Sequence, residues 1–187
     1  MLTLLLAYIL LGILFYVEHR YESSPRTTAS VHETGDDQGT SRLLLMVWIL
    51  CGFVSPLVWL SINVGAGPGW IGWIGLGWII GGIVLLRWSI FVNTFYIRAM
   101  ATNDDQYICT EGPYKVVRHP GYAAFIVGWL GFGLATCNWW AFLTTLVLTV
   151  YAYVKRILAE EQMMLDKFSV DYQQYVNESS RLIPFVF

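Results

Sequence analysis

Charge is what this sequence has least of. Only 13% of its 187 residues are charged, about half the share in an ordinary soluble protein. Its 11 Lys and Arg stand against 13 Asp and Glu. There is no basic excess to release counterions from a phosphate backbone, and no nucleic-acid partner is expected. Cysteine is scarce too. Cys51, Cys109 and Cys137 are odd in number and unclustered, which excludes a fully paired intrachain framework and a multi-cysteine zinc site of standard spacing. Cys51 and Cys137 sit in apolar runs and read as small core residues. His32 beside Glu33 reads as a solvated polar run, so no metal is expected. A nucleotide fingerprint is also missing. Gly75, Gly77 and Gly81 miss G-x-G-x-x-G by one residue, and no strand precedes them. Gly77-x-x-x-Gly81 reads instead as a small face for close helix packing.

What is abundant is apolar. Hydrophobic residues make up 56% of the chain and aromatics 16%, with nine Trp among them, which suits anchoring at two membrane–water interfaces. The pattern predicts one all-α, multi-pass membrane domain over residues 1–187 with five spans, at about 2–17, 43–64, 70–92, 120–137 and 139–154. The first is a transmembrane helix rather than a signal peptide, because no Lys or Arg precedes it and no small-x-small site follows. Residues 18–42 read as a solvated loop. Pro56 inside the second span should kink it and free a carbonyl that the bundle must satisfy. Gly65-Ala66-Gly67-Pro68-Gly69 is a tight turn, and Asn138 turns the fourth span into the fifth. Beyond it, Leu158, Leu165, Phe168, Tyr172 and Tyr175 mark an amphipathic extension of the fifth helix.

Five spans place segments 18–42, 93–119 and 155–187 on one face. Those segments hold ten of the 11 Lys and Arg residues, while the turns on the other face carry no charge. The positive-inside rule puts the N-terminus outside and the charged face in the cytoplasm.

Most of the polar chemistry falls on that face. Gly112-Pro113-Tyr114 precedes Arg118-His119-Pro120-Gly121-Tyr122. A residue before proline is pushed out of the α region, so His119 sits at a helix entrance. The free N–H groups there suit an anion. Headgroup anchoring by Arg118 and His119, with Tyr114 and Tyr122 as belt aromatics, is the plain alternative. Arg156 and Glu160 share a helix face four residues apart. They form either a weak surface pair, or a clamp for a substrate carboxylate beside an acceptor for a cationic ligand.

These motifs occur in the order Gly112-Pro113-Tyr114, Arg118-His119-Pro120-x-Tyr122, Arg156-x-x-x-Glu160-Glu161, Phe168-x-x-x-Tyr172-x-x-Tyr175 and Arg181-Leu182-Ile183-Pro184. Together, over roughly residues 85–187, they resemble the isoprenylcysteine carboxyl methyltransferase family of integral membrane enzymes, relatives of the phospholipid N-methyltransferases. The resemblance implies S-adenosylmethionine as cofactor, bound without a Rossmann domain. It lays Gln106, Tyr107, Ile108 and Cys109 along the cofactor segment, with Ile108 lining the adenine pocket. It has Tyr114 closing over the cofactor and His119, Pro120, Gly121 and Tyr122 holding its polar end. Glu160 reaches the cofactor from the fifth helix, and Arg156 holds the carboxylate of the substrate. Arg118 orients substrate or anchors to headgroups. Gln106, Cys109 and Ala124 stand where the family usually has His, Val and Gly, which leaves cofactor affinity and substrate identity open. Cys109 is not expected to act as a nucleophile.

The implied reaction is in-line methyl transfer to the C-terminal carboxylate of a prenylated cysteine. The partners implied are a lipophilic substrate, such as a prenylated protein terminus, and the bilayer. The site would face the cytoplasm, in the endoplasmic reticulum of a eukaryote or the inner membrane of a prokaryote. Two alternatives remain: a membrane methyltransferase for another lipophilic thiol, amine or phospholipid headgroup, and a non-catalytic scaffold or transporter subunit.

Overall fold

The computed structural model describes residues 2–22, 33–34, 37–61, 64–93, 101–102 and 108–184. The protein is all-α. Among the described residues, the five main helices are α1 (Leu2–Glu22), α2 (Thr40–Ser61), α3 (Trp70–Val92), α4 (Pro120–Ala135) and α5 (Trp139–Glu178). A 3-10 turn at Gly112–Lys115 leads toward α4, and a two-residue antiparallel pair joins Glu33–Thr34 to Ala101–Thr102.

Among the described residues, four helices are long and apolar enough to cross a membrane; α4, at 16 residues, is apolar but shorter. Large apolar side chains point outward along the bundle, among them Leu5, Ile9, Leu57, Ile80, Val84 and Val147. A surface this apolar belongs against lipid, and the chain is an integral membrane protein.

Contacts at the two ends fix the direction of each helix. At one end the Thr3 hydroxyl donates to the Ala135 carbonyl at 3.0 Å. There too Gly67 N–H donates to Cys137 O at 2.7 Å, and Trp139 N–H to Gly65 O at 2.9 Å. Asn138 completes this end. Its Oδ1 accepts from the N–H groups of Trp140 and Ala141, and its Nδ2 donates to Val64 O at 2.8 Å. At the other end the Tyr21 hydroxyl lies 3.4 Å from Asn93 O, and the start of α2 meets the charged part of α5. The helices therefore alternate in direction, with the expected turns together at one end.

The closest packing is between α3 and α4, but not through the expected glycines. A Cβ at Gly77 or Gly81 would meet nothing within 4 Å. A Cβ at Gly75 would come within 2.4 Å of Gly131 O, one at Gly131 within 2.5 Å of Gly75 O, and one at Gly82 within 2.6 Å of Ala124 O. Gly77 and Gly81 lie on the wrong side of α3. The working stripe is Gly75, Ile79 and Gly82, against Ala124, Gly128, Gly131 and Ala135 of α4, while Gly72 on the same face meets Thr3 of α1 and the Cys137 side chain. Backbone approach this close allows extensive dispersion contact between helices that lipid alone would not drive together.

The carbonyl that Pro56 is expected to free is satisfied by the bundle. The turn before it, Leu50–Val54, is π-helical. Proline clashes with the carbonyl four residues earlier and cannot bond to it; that carbonyl belongs to Gly52, and it accepts a hydrogen bond from the Tyr8 hydroxyl of α1. A core of Leu14, Leu44, Val47, Phe125, Trp129 and Phe132 fills the space between the helices.

Two expected boundaries shift. Helix α1 runs on to Glu22, so Glu18 is not in a solvated loop. It is 1% exposed and continues the inward stripe of Ala7, Leu11 and Leu14. Helix α2 starts at Thr40, because Asp37 accepts the N–H groups of Gly39 and Ser41 at 2.9 and 3.1 Å. His32 lies outside the described residues.

Candidate active site

The entrance of α4 assembles the site. Pro120 occupies the first helical position, and His119 caps it at φ −121° without a side-chain bond. With no proline N–H to satisfy, the free donors left at this end are those of Gly121 and Tyr122. Ahead of it, Val117 pairs in parallel with Ser180. Arg118 N–H donates to Ser180 O at 2.7 Å and His119 N–H to Arg181 O at 3.1 Å. The segment after α5 thus folds back across the mouth of α4, and Leu182 packs against the core.

Helix α5 supplies the other half. The Tyr122 hydroxyl donates to Glu160 Oε2 and accepts from Arg156 Nε at 3.3 Å. Arg156 and Glu160 are therefore joined through a tyrosine rather than paired directly along the helix. Arg156, 2% exposed, also donates from Nη1 to Thr40 Oγ1 at 2.9 Å and Ser41 Oγ at 3.2 Å. His119 stacks on Tyr122 with ring centroids 5.7 Å apart, and its Nδ1 lies 3.9 Å from Glu160.

Beside this lies a cluster centred on Glu161. Arg118 Nε donates to its Oε1 at 2.9 Å, Arg181 Nε to its Oε2 at 2.7 Å, and His119 Nε2 is 3.4 Å away. Glu161 lies beyond the apolar part of α5. Burial raises its pKa, but the hydrogen bonds from His119, Arg181 and Arg118 outweigh that and hold it at about 2. It is a permanent anion among three basic groups. Arg118 also donates to the carbonyls of Val176 and Ser179. With Nε on Glu161 and Nη1 on these carbonyls, its guanidinium is turned into the bundle rather than toward headgroups.

Tyr114 is buried in the 3-10 turn, and its carbonyl accepts from the Tyr175 hydroxyl at 2.6 Å. Burial pushes the hydroxyls of Tyr114, Tyr172 and Tyr175 well above the usual range, so they remain neutral donors. Burial pushes the Cys109 thiol up as well, the wrong direction for a nucleophile. Ile108 is half-buried ahead of it. Gln106 and Tyr107 lie outside the described residues.

The structure thus brings together Tyr114, Arg118, His119, Pro120, Gly121, Tyr122, Arg156 and Glu160. Sequence reading left out Glu161, Arg181 and the Asp37–Thr40–Ser41 turn as site residues. A signal for Glu161 existed. The buried face of α5 runs through Ile157, Glu161, Tyr172 and Tyr175, whereas Leu158, expected on the apolar stripe, is 44% exposed. An acid in register with a buried stripe needs cationic partners. No comparable signal marks Thr40 or Ser41, which meet Arg156 only through the fold.

The residues at the α4 entrance fit S-adenosylmethionine. Glu160, partly exposed, and the neighbouring aromatic rings suit a cationic sulfonium and an ammonium group. The free N–H groups of α4 and His119 suit a carboxylate.

Fold and site define the class: a helical membrane protein with a buried acid–base and aromatic cluster at one end of its bundle. The profile of the phospholipid methyltransferase family matches residues 70–171, and the chain belongs to that family. Its likeness to the isoprenylcysteine carboxyl methyltransferases, read from the motifs, extends to its relatives. Protein-S-isoprenylcysteine O-methyltransferase B of Arabidopsis thaliana is 27% identical over 120 residues, 63% of this chain and 61% of that protein. The match thus spans about three fifths of that relative's length. Methanethiol S-methyltransferase 1 of Bradyrhizobium diazoefficiens is 39% identical over 71 residues, 38% of this chain and 24% of that protein. The solved eukaryotic intramembrane Ras methyltransferase, an isoprenylcysteine carboxyl methyltransferase, shares the fold at a TM-score of 0.59 and 21% identity, covering 81% of this chain and 54% of that one.

Proposed function

We propose that this protein transfers a methyl group from S-adenosylmethionine to the C-terminal carboxylate of a prenylated cysteine, at the cytoplasmic face of the membrane. The observation that carries this reading is the Tyr122 hydroxyl, which ties Glu160 to Arg156 at the entrance of α4. One group suits a cationic donor, the other a carboxylate acceptor, and the tyrosine sets the distance between them.

The bound cofactor supplies an electrophilic methyl group. Glu160 neutralises positive charge on the donor side, with His119 stacked behind Tyr122. Arg156 orients the acceptor carboxylate, which is already ionised at neutral pH and needs no general base. Arg118 and Arg181, gathered on Glu161, position the return segment over the α4 entrance. Catalysis on this account is positioning and exclusion of water. The apolar outer surface lets a lipid-modified substrate approach from the bilayer.

The test is turnover of labelled S-adenosylmethionine by purified protein in lipid nanodiscs, with S-farnesylcysteine, lipophilic thiols and amine headgroups as acceptors. Methylation of the farnesylcysteine carboxyl is expected, together with a thermal shift on S-adenosylhomocysteine that His119→Ala and Glu160→Gln abolish. Turnover of thiols or amines with none of farnesylcysteine would sink the carboxylate assignment. Absence of any cofactor shift would favour a non-catalytic scaffold.

Thiol methylation is the second reading, favoured by the 39% identity to a methanethiol S-methyltransferase over the stretch they share. Rate against pH separates the two. A carboxylate acceptor gives a flat profile from pH 6 to 9, whereas a thiol gains rate toward its own pKa of about 8.5.

A further inference from the structure

Arg156 carries a contact that the methyl-transfer reading does not use. The first turn of α2, from the half of the chain outside the motif region, closes around its guanidinium. Thr40 Oγ1 and Ser41 Oγ accept from Nη1 at 2.9 and 3.2 Å, and Asp37 Oδ2 lies 3.9 Å from the same nitrogen. The placement is electrostatically awkward. A guanidinium sits against the N-terminus of α2, which carries a partial positive charge. Tyr122, another of its partners, lies in the first turn of α4, a second positive helix end. Asp37 is a carboxylate that offsets this. It accepts both N–H groups at the start of α2 and faces Arg156 as well. Hydrogen bonding from the Ser41 side chain, then from the Gly39 and Ser41 backbone, keeps its carboxyl below the usual range, so the charge is present at neutral pH.

We propose that Asp37 is a specificity-determining residue of the acceptor side: by facing Arg156 across the first turn of α2, it sets how strongly that guanidinium attracts a carboxylate. The inference rests on the reading of Arg156 as the acceptor contact. Thr40 and Ser41 are positioning residues that hold the guanidinium in place, and Asp37 sets its effective charge. Asp37 competes with an incoming carboxylate for the same cation. Its negative charge therefore weakens acidic acceptors while leaving neutral lipids of the same shape unaffected. The side chain of Asp37 is 36% exposed, so the effect is screened by solvent and salt.

The experiment is equilibrium binding of N-acetyl-S-farnesylcysteine and of its neutral carboxamide to the full chain in nanodiscs, with S-adenosylhomocysteine present. Turnover is measured separately. Asp37→Asn should tighten the acid about two- to fivefold at low salt, less at high salt, with the carboxamide unchanged. Asp37→Glu should return the acid to its wild-type affinity. The thermal shift on S-adenosylhomocysteine reports that each variant is folded. An acid affinity that Asp37→Asn leaves unchanged or weakens overturns the inference, as does an equal change for both ligands. If Asp37→Asn tightens the acid but wild type never methylates it, carboxyl methylation fails while the inference stands. No binding of the acid to wild type overturns both.

Discussion

Glu161 shows how one side chain organises the end of this bundle. Its two oxygens hold Arg118 and Arg181 from different segments, and His119 lies against it. Removing a buried partner leaves the opposite charge without compensation, which costs more than the pair itself contributes. Glu161→Gln, which keeps the volume, should lower stability by about 3 kcal/mol, read as a drop in the unfolding midpoint in detergent. The pH dependence has a definite sign. The Glu161 pKa falls from 4.5 to about 2 on folding, so its contribution is complete above the unfolded value and fades as pH drops from 4.5 toward 2. Acid titration of wild type should show that loss, and Glu161→Gln should flatten it. Arg118, from a recognisable motif, and Glu161, in a recognisable pair, were both visible as residues. That they bind each other was not, because the contact closes between segments that only the fold brings together.

Among the elements, α3 and α4 are the clearest case of packing set by backbone shape. Glycines on one face of α3 admit the α4 carbonyls, while those on the other face touch nothing within 4 Å. Gly75→Ala or Gly131→Ala should therefore destabilise the bundle by about 1–3 kcal/mol. Gly77→Ala, one turn-face away, should be neutral or slightly stabilising through helix propensity. Thermal unfolding of the three variants side by side checks this. The π-turn of α2 makes a second case. Tyr8→Phe removes the donor to Gly52 O and leaves a buried carbonyl unpaired beside Pro56. A loss of about 1 kcal/mol is expected. The proline was legible as a kink and its freed carbonyl as a debt to the bundle. The identity of the donor, on another helix, was not.

For the whole molecule, alternating helix direction puts the turns at Gly65–Gly69 and Asn138 at one end and the acid–base cluster at the other. If the charged end lies in the cytoplasm, a cysteine at Gly69, where added side-chain atoms meet nothing within 4 Å, should react with an impermeant thiol reagent from outside intact cells. One at the exposed Lys115 should react only after permeabilisation, each measured against the unlabelled background of the three native cysteines. The sequence by itself determined the five apolar helices, their order along the chain and the gathering of charge at one end. Those follow from local composition and period, which any segment carries alone. The grouping of His119, Tyr122, Arg156 and Glu160 came from the resemblance of its motifs to a known family, since spacing alone left the Arg156–Glu160 pair open. Only the tertiary structure decided which glycines of α3 face α4, that Glu18 points inward, and that Glu161 gathers two arginines. It alone brought Asp37, Thr40 and Ser41 from the far half of the chain to Arg156. Each of those depends on how a helix is rotated against its neighbours, and rotation is set by the packing of the whole bundle rather than by any stretch within it.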